Sequence, residues 1–186
     1  MQAVMDFLLS YGVYLVWTVV IVVGTFLALP KWKRIIVILT SYKKRKYELC
    51  QHLALEEATK CTFQKTRTVL LSYVLSCSLA LKDIATFEAN ISKIISTRPG
   101  HLGIKLYWQT LLLLDQKNIE EAKNKYRQLC LLDDRHALAF SKSISDIFAH
   151  YDGIRLFSKN EIKKRMSKVI HPAIYRIYSE IDKQIQ

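Results

Sequence analysis

The stretch DIATFEANISKI, at residues 83–94, has a counterpart 35 residues later in NIEEAKNKYRQL, at residues 118–129. Each stretch begins with a residue that favours a helix N-cap, Asp83 or Asn118, and Glu121 adds a capping-box partner for Asn118. The apolar residues that follow are spaced by three, four and three, which places them on one helix face: Ile84, Phe87, Ile91 and Ile94 in the first, and Ile119, Ala122, Tyr126 and Leu129 in the second. The two stretches therefore predict two amphipathic helices in equivalent positions.

The residues before these two stretches match each other at the same offset. They predict a helix that precedes each stretch, and a third helix of this kind follows at an offset of 32. The matched pairs are Leu71 with Leu106, Tyr73 with Trp108, and Cys77 with Leu112; the third helix carries Leu138, Phe140, Ile144 and Phe148. The chain has five Gly and three Pro, and no alternating strand pattern follows Arg45. The unit is a long apolar helix, a tight turn at Lys-Asp or Lys-Asn, and a second helix. A period of this length predicts an all-α array of antiparallel helical hairpins.

Over residues 64–150 this unit resembles a degenerate tetratricopeptide repeat. Ala122 and Tyr126 match the family's A-x3-F step, and Pro99 lies where the family places its closing proline. The departures are Phe87 at a small-residue position, Asp134 in place of the second proline, Leu112 in place of a glycine, and Trp108 two residues too close to Ala122. The resemblance implies hairpins that bind a protein partner on a concave surface. The alternative is an ordinary helical bundle whose hairpins look alike.

The C-terminal part has clear helix signals. Asp152-Gly153 predicts a break, and Ser158 with Glu161 predicts a capping box for a helix over residues 159–170. Pro172 predicts the first turn of a last helix, which carries Ile174, Ile177, Ile181 and Ile185 on one face. That helix is expected to cap the last repeat, with docking on a partner as the alternative. Between the hairpins, residues 100–103 predict a turn.

Near the start of the chain, the 23 residues from Phe7 to Leu29 carry no charge. At about 1.5 Å per residue such a helix is roughly 35 Å long, enough for a bilayer core of about 30 Å. It is too long for a signal peptide, and no Lys or Arg precedes it. We therefore expect a transmembrane anchor at residues 1–30. Gly24 and Ala28, four residues apart, offer a possible face for a homodimer, although chance is the more common cause of such a pair.

A basic run follows this apolar stretch. Residues 31–46 hold seven of the chain's 28 Lys and Arg and no acid, namely Lys31, Lys33, Arg34, Lys43, Lys44, Arg45 and Lys46. Basic residues mark the cytoplasmic end of a span and attract anionic lipid headgroups. The pattern predicts a single-pass protein with its N-terminus outside. A basic juxtamembrane helix at residues 31–60 and a helical domain at residues 61–186 would then be cytoplasmic, and the four cysteines would be free thiols, buried in a reducing compartment.

No sequence motif indicates an enzyme, a cofactor or a metal site. With five glycines, the chain has no Gly-rich phosphate loop, and it has no nucleophile elbow. The five histidines and four cysteines do not have metal-ligand spacing. The chain therefore predicts no catalytic residue, no cofactor and no metal ligand.

The expected function is that of a membrane-anchored cytoplasmic scaffold that binds a protein partner near the membrane, with assembly of a membrane complex as one such role. Tyr73, Trp108 and Tyr126 are candidates for lining the partner groove, although core packing is the alternative use of each. The net charge of +12 leaves a lipid- or nucleic-acid-binding module as a second hypothesis. Nucleic acid is the weaker of these, because topology and lipid contact explain the basic run. A small structural subunit of a larger membrane complex is a third hypothesis.

Overall fold

The structure is a computed structural model that describes residues 32–95, 97, 99–169 and 171–185. These residues form nine helices and no strand: α1 (residues 32–43), α2 (Tyr47–Lys60), α3 (Gln64–Leu81), α4 (Ile84–Ile91), α5 (Pro99–Asp115), α6 (Ile119–Cys130), α7 (Arg135–Tyr151), α8 (Lys159–Met166) and α9 (Pro172–Gln184). The all-α part of the predicted fold class is thereby confirmed.

The transmembrane part of the predicted fold class has to be corrected. Within the described ranges, no helix combines the length and apolar character needed to cross a membrane. The longest helix there, α3, has 18 residues and includes Lys65 and Arg67. This finding corrects the predicted transmembrane anchor, and with it the single-pass localisation with an outside N-terminus. Residues 1–30, on which the anchor and the Gly24/Ala28 face were predicted, lie outside the described residues.

The two predicted hairpins have the same turn, 35 residues apart. Lys82 and Lys117 both adopt left-handed backbone angles, with φ values of 60° and 63°. The next residue, Asp83 or Asn118, donates its backbone N–H to a carbonyl of the preceding helix, at 2.9 Å in both turns. These bonds satisfy carbonyls at the C-terminus of α3 and of α5, as a Schellman motif does. The predicted tight turns are therefore present and equivalent.

The predicted N-caps are also present, although one capping box differs in detail. The Asp83 carboxylate accepts from the backbone N–H of Thr86 at 3.0 Å, and Asn118 Oδ1 accepts from the N–H of Glu121 at 3.4 Å. Glu121 accepts from the Asn118 side-chain amide at 2.8 Å. It does not take the backbone N–H of Asn118, because that group is already bonded to Leu113 in the hairpin turn.

The first helices of the hairpins lie beside one another. Helix α3 contacts α5, α5 contacts α7, and the second helices α4 and α6 pack on their own partners. The predicted turn at residues 100–103 is wrong, because this stretch is the first turn of α5. Close packing explains the glycine at position 103, because a Cβ at this position would lie 2.9 Å from Cβ of Ala137 in α7. The two helices therefore cross at a contact that only a glycine permits without movement.

The C-terminal arm, defined as α8 and α9, begins after the predicted break, where Gly153 has a φ of 70°. Ser158 caps α8 as predicted, but α8 ends at Met166, four residues before the expected end. Pro172 starts α9 as predicted. The chief neighbours of α9 besides α8 are α3 and α5. Helix α9 therefore folds back across the first two hairpins, where the sequence predicted a cap on the last repeat.

Candidate functional site

A cavity of about 860 Å³ lies between the first helices of the hairpins. This volume is within the range of small-molecule and peptide side-chain sites. We call it the central cavity. It is lined by Tyr42 of α1, by Lys65, Thr68, Val69, Ser72, Tyr73 and Ser76 of α3, by Pro99, Gly100, His101, Ile104 and Trp108 of α5, by Asp134, His136 and Phe140 at the start of α7, and by His171 before α9.

The hairpin repeat accounts for much of this lining. Val69 and Ile104 are related by the offset of 35, and His136 follows Ile104 by the offset of 32. Tyr73, Trp108 and Phe140 are related in the same way one helical turn further on. Equivalent positions of neighbouring, equally oriented helices face the same side of the array. The repeat therefore builds one continuous apolar wall from three helices.

The inner end of the central cavity contains a chain of three hydrogen-bonded side chains. The backbone N–H of Ala173 donates to Nδ1 of His171 at 3.2 Å, so the ring proton lies on Nε2. His171 Nε2 is 2.8 Å from Oγ of Ser76, to which it donates. Ser76 Oγ is in turn 2.7 Å from the Tyr42 hydroxyl. The Trp108 ring lies against this chain, with its centroid 5.2 Å from that of His171.

Burial keeps the groups at this inner end uncharged. The pKa of His171 is lowered from 6.5 to about 4, chiefly by burial and in smaller part by the positive charge of Arg176, which Asp115 opposes. Burial also raises the pKa of the Tyr42 hydroxyl to about 12. At neutral pH, His171 is therefore a neutral ring that accepts at Nδ1 and donates at Nε2.

The outer end of the central cavity is formed by the first turns of α3, α5 and α7. Lys65, Pro99 and His136 are exposed there, whereas His101 is buried and lies 3.4 Å from the Gln64 amide. The Asp134 carboxylate accepts from the backbone N–H groups of His136 and Ala137. At about 1.5 Å per residue, Lys65 and Ser76 lie roughly 16 Å apart along α3. The lining thus carries one cation and one anion, both at the outer end.

Two of the three predicted groove residues lie together. Tyr73 and Trp108 line the central cavity, from α3 and α5. Tyr126 lies elsewhere, in α6, where its ring stacks on Phe148 with centroids 4.2 Å apart. Sequence reasoning missed Phe140, although the offset of 32 already aligned it with Trp108. It also missed Ser76, Tyr42 and His171, which only the folding of α1 and α9 against the hairpins brings together.

The predicted basic contact residues lie away from this cavity. Lys33, Lys43, Lys44, Arg45 and Lys46 are exposed along α1 and the turn after it. Arg34 instead pairs with acids of α2, at 2.9 Å from Glu56 and 2.7 Å from Glu57. Lys31 lies outside the described residues. The basic run is therefore divided between a paired arginine and a cluster of exposed cations.

The cysteines do not all match the expected buried thiols. All four are free; Cys50 and Cys77 are buried, Cys61 is half-buried and Cys130 is exposed. Within the ranges that the structure describes, no cluster of His, Cys, Asp or Glu has the geometry to hold a metal ion. The three histidines of the central cavity do not converge as ligands, because His171 and His101 hydrogen-bond to neighbouring protein groups.

No family model, no curated protein and no solved structure matches this chain. The likeness to the tetratricopeptide repeat therefore stays a prediction from the sequence, and the geometry of the central cavity is the basis for any functional inference.

Proposed function

We propose that this protein is an adaptor that binds a segment of a partner protein in the central cavity. The observation that carries the proposal is the continuous apolar wall from α3, α5 and α7, which lines a volume of about 860 Å³. A continuous apolar surface that lines a cavity of this size usually marks a binding site. Catalysis has no comparable support, since the polar side chains at the inner end are engaged in capping and mutual hydrogen bonds.

The charge of the lining indicates what kind of segment fits. Lys65 and Asp134 are the two formally charged lining residues, and each lies at the outer end. Asp134 is already engaged by the N-terminus of α7. A strongly charged segment would lose its hydration there without gaining matching charges. The cavity is therefore suited to an uncharged segment with aliphatic or aromatic side chains.

Val69 offers a way to block the cavity without removing a core residue. Its side chain is 55% exposed and lines the wall in α3. Leu138, which is 53% exposed in α7, does not line the cavity and provides a matched control. Val69→Asp and Leu138→Asp both place a carboxylate on an exposed helical surface. Only Val69→Asp places that charge in the proposed binding site.

The experiment is a selection of random linear peptides, displayed on phage, against the immobilised full-length protein. We expect selected peptides to be rich in aliphatic and aromatic residues and to bind with affinities in the micromolar range. Val69→Asp should weaken that binding at least tenfold, whereas Leu138→Asp should leave it within twofold. If no peptide exceeds background, or if both variants weaken binding equally, the proposal is wrong.

A further inference from the structure

The inner end of the central cavity has more hydrogen-bond donors than partners. His171, Ser76 and Tyr42 contribute three donors, namely one ring N–H and two hydroxyls. Two hydrogen bonds join these three side chains, and the His171 N–H is used in one of them. One hydroxyl hydrogen, on Ser76 or on Tyr42, therefore has no acceptor within the chain of three.

Trp108 adds a second unused donor in the same cavity, where its ring lies against His171 with centroids 5.2 Å apart. Its side chain lines the cavity and the residue is only 7% exposed. Among the described residues, none accepts a hydrogen bond from the indole N–H, and this nitrogen is not one of the fully enclosed atoms that lack a partner. The indole N–H therefore keeps some accessible surface, and it belongs to a side chain that lines the cavity. An almost buried indole that leaves its donor free points to an acceptor that enters from outside.

The charges around the inner end decide which acceptor fits. Arg176 is the cation that acts on the pKa of His171, and it is paired with Asp115 at 2.8 Å while also donating to the Leu79 carbonyl at 2.6 Å. Lys65 is at the other end of the cavity. A carboxylate at the inner end would lose its water without a free counter-ion, which costs several kcal/mol. An uncharged carbonyl accepts from the same two donors at a much smaller desolvation cost.

We propose that the inner end of the central cavity binds an uncharged carbonyl oxygen of the partner segment, which accepts from the Trp108 indole N–H and from the unused hydroxyl of Ser76 or Tyr42. This inference rests on the proposed function and specifies its chemistry. A carbonyl oxygen has two lone pairs, so it can satisfy both donors at once. The apolar wall then holds the side chain next to that carbonyl, and together they fix the position of the segment.

Three probes of nearly equal shape separate the alternatives. Benzylacetone carries a phenyl ring and a neutral carbonyl, hydrocinnamate replaces the carbonyl by a carboxylate, and isopentylbenzene has no acceptor. Each is titrated into the ¹⁵N-labelled full-length protein while the indole N–H signals are recorded. The chain has three tryptophans, and Trp108→Phe identifies the signal of Trp108 by its loss.

We expect benzylacetone to move the Trp108 indole signal downfield, as a new hydrogen bond does, and isopentylbenzene to leave it near its original position. Trp108→Phe should weaken benzylacetone about fivefold and isopentylbenzene less than twofold, because only the first probe uses the N–H; one neutral hydrogen bond is worth about 1 kcal/mol. If Trp108→Phe does not fold, Trp17→Phe and Trp32→Phe identify the signal of Trp108 by exclusion, and the shifts in the unmodified protein still provide the test.

Other results would overturn the inference in distinguishable ways. Tighter binding of hydrocinnamate would show that the site takes an anion. Equal shifts with benzylacetone and isopentylbenzene would show an apolar site without carbonyl recognition, and the proposed adaptor function would stand. If none of the three probes binds, the inference fails, and the peptide selection decides the proposed function by itself.

Discussion

The hairpins α3–α6 and the C-terminal arm are attached to the molecule in different ways. Each hairpin is closed by local bonds, such as those of Asp83 to Ser78 and of Asn118 to Leu113, which recur at an offset of 35. The arm is attached by contacts between residues far apart in sequence. Arg176 reaches Leu79, 97 residues away, and His171 reaches Ser76, 95 residues away. A repeated sequence pattern therefore determines the hairpins, whereas contacts between residues far apart in sequence determine the position of the arm.

The largest expected effect comes from truncating a fully buried side chain in each region. Leu111 of α5 and Ile181 of α9 are both 0% exposed. Leu111→Ala and Ile181→Ala should each lower the free energy of unfolding by about 3 kcal/mol, through lost burial and the cavity left behind. Hydrogen exchange should separate them: Leu111→Ala accelerates exchange throughout α3, α5 and α6, and Ile181→Ala mainly in α8 and α9. Identical exchange patterns would show that the arm and the hairpins unfold as one unit.

The arm should also be the more sensitive region to acid. The pKa of His171 is lowered from 6.5 to about 4, so the folded state disfavours the protonated ring. The contribution of neutral His171 to the free energy of unfolding is present above about pH 6.5. It is lost as the pH falls towards about 4, because protonation removes the acceptor that caps α9. The loss should reach about 3 kcal/mol, since one unit of pKa corresponds to about 1.4 kcal/mol.

Chemical denaturation at several pH values tests this expectation. His171→Asn keeps a side chain that can cap α9 but does not titrate, so its stability should decline less between about pH 6.5 and about pH 4. Replacement of the exposed His52 by Asn is the matched control and should leave the wild-type pH dependence unchanged. Parallel curves for the wild-type protein and His171→Asn would refute the assigned role of His171.

A smaller effect is expected from Arg176, which joins the arm to the C-terminal ends of α3 and α5. Its Nε and Nη2 donate to the two Asp115 oxygens at 2.8 and 2.9 Å. Lysine retains the charge but cannot form this paired geometry. Arg176→Lys should lower the free energy of unfolding by about 1 to 2 kcal/mol, a figure reduced for the partial exposure of the pair. The exposed Arg127, changed to Lys as a control, should have almost no effect; an equal loss would indicate that charge alone matters.

The same comparison explains how far sequence reasoning could go. Helix faces, the turns at Lys82 and Lys117, and the caps of α4, α6 and α8 depend on nearby residues, so periodicity and cap chemistry predicted them. Tyr73 and Trp108 were candidates for the groove, with core packing as the alternative use of each. The direction of α9 depends on contacts made only after the hairpins have packed. Local signals therefore located its start at Pro172 but not the surface that it covers, and they did not predict Ser76 and His171 as neighbours.

Two further misses have local physical causes. Gly100 and Gly103 read as a turn because glycine is a weak helix former, yet the close approach of α5 to Ala137 requires a residue without a side chain at Gly103. The offset of 32 aligned Leu138 with the buried Leu106, but Leu138 is 53% exposed. The buried face of α7 instead includes Ala137, Ser141 and Ile144, because the small residue Ala137 lies where α5 crosses. Such helix crossings follow from packing and are not visible in the apolar pattern alone.

The smallest expected difference lies within the hairpins, between their two N-caps. Asp83→Ala and Asn118→Ala should each cost about 1 kcal/mol, the usual value of an N-cap. Asp83 should cost more, because its bond to Thr86 is shorter than the bond of Asn118 to Glu121, at 3.0 against 3.4 Å, and because it also accepts from Gln51 at 3.3 Å. Thermal unfolding of both variants, with Gln51→Ala alone and combined with Asp83→Ala, measures the contribution of α2. If Asp83→Ala and Asn118→Ala lower the stability equally, the two hairpins are equivalent at their turns. If the effect of Gln51→Ala simply adds to that of Asp83→Ala, the contact from α2 does not distinguish the first hairpin from the second.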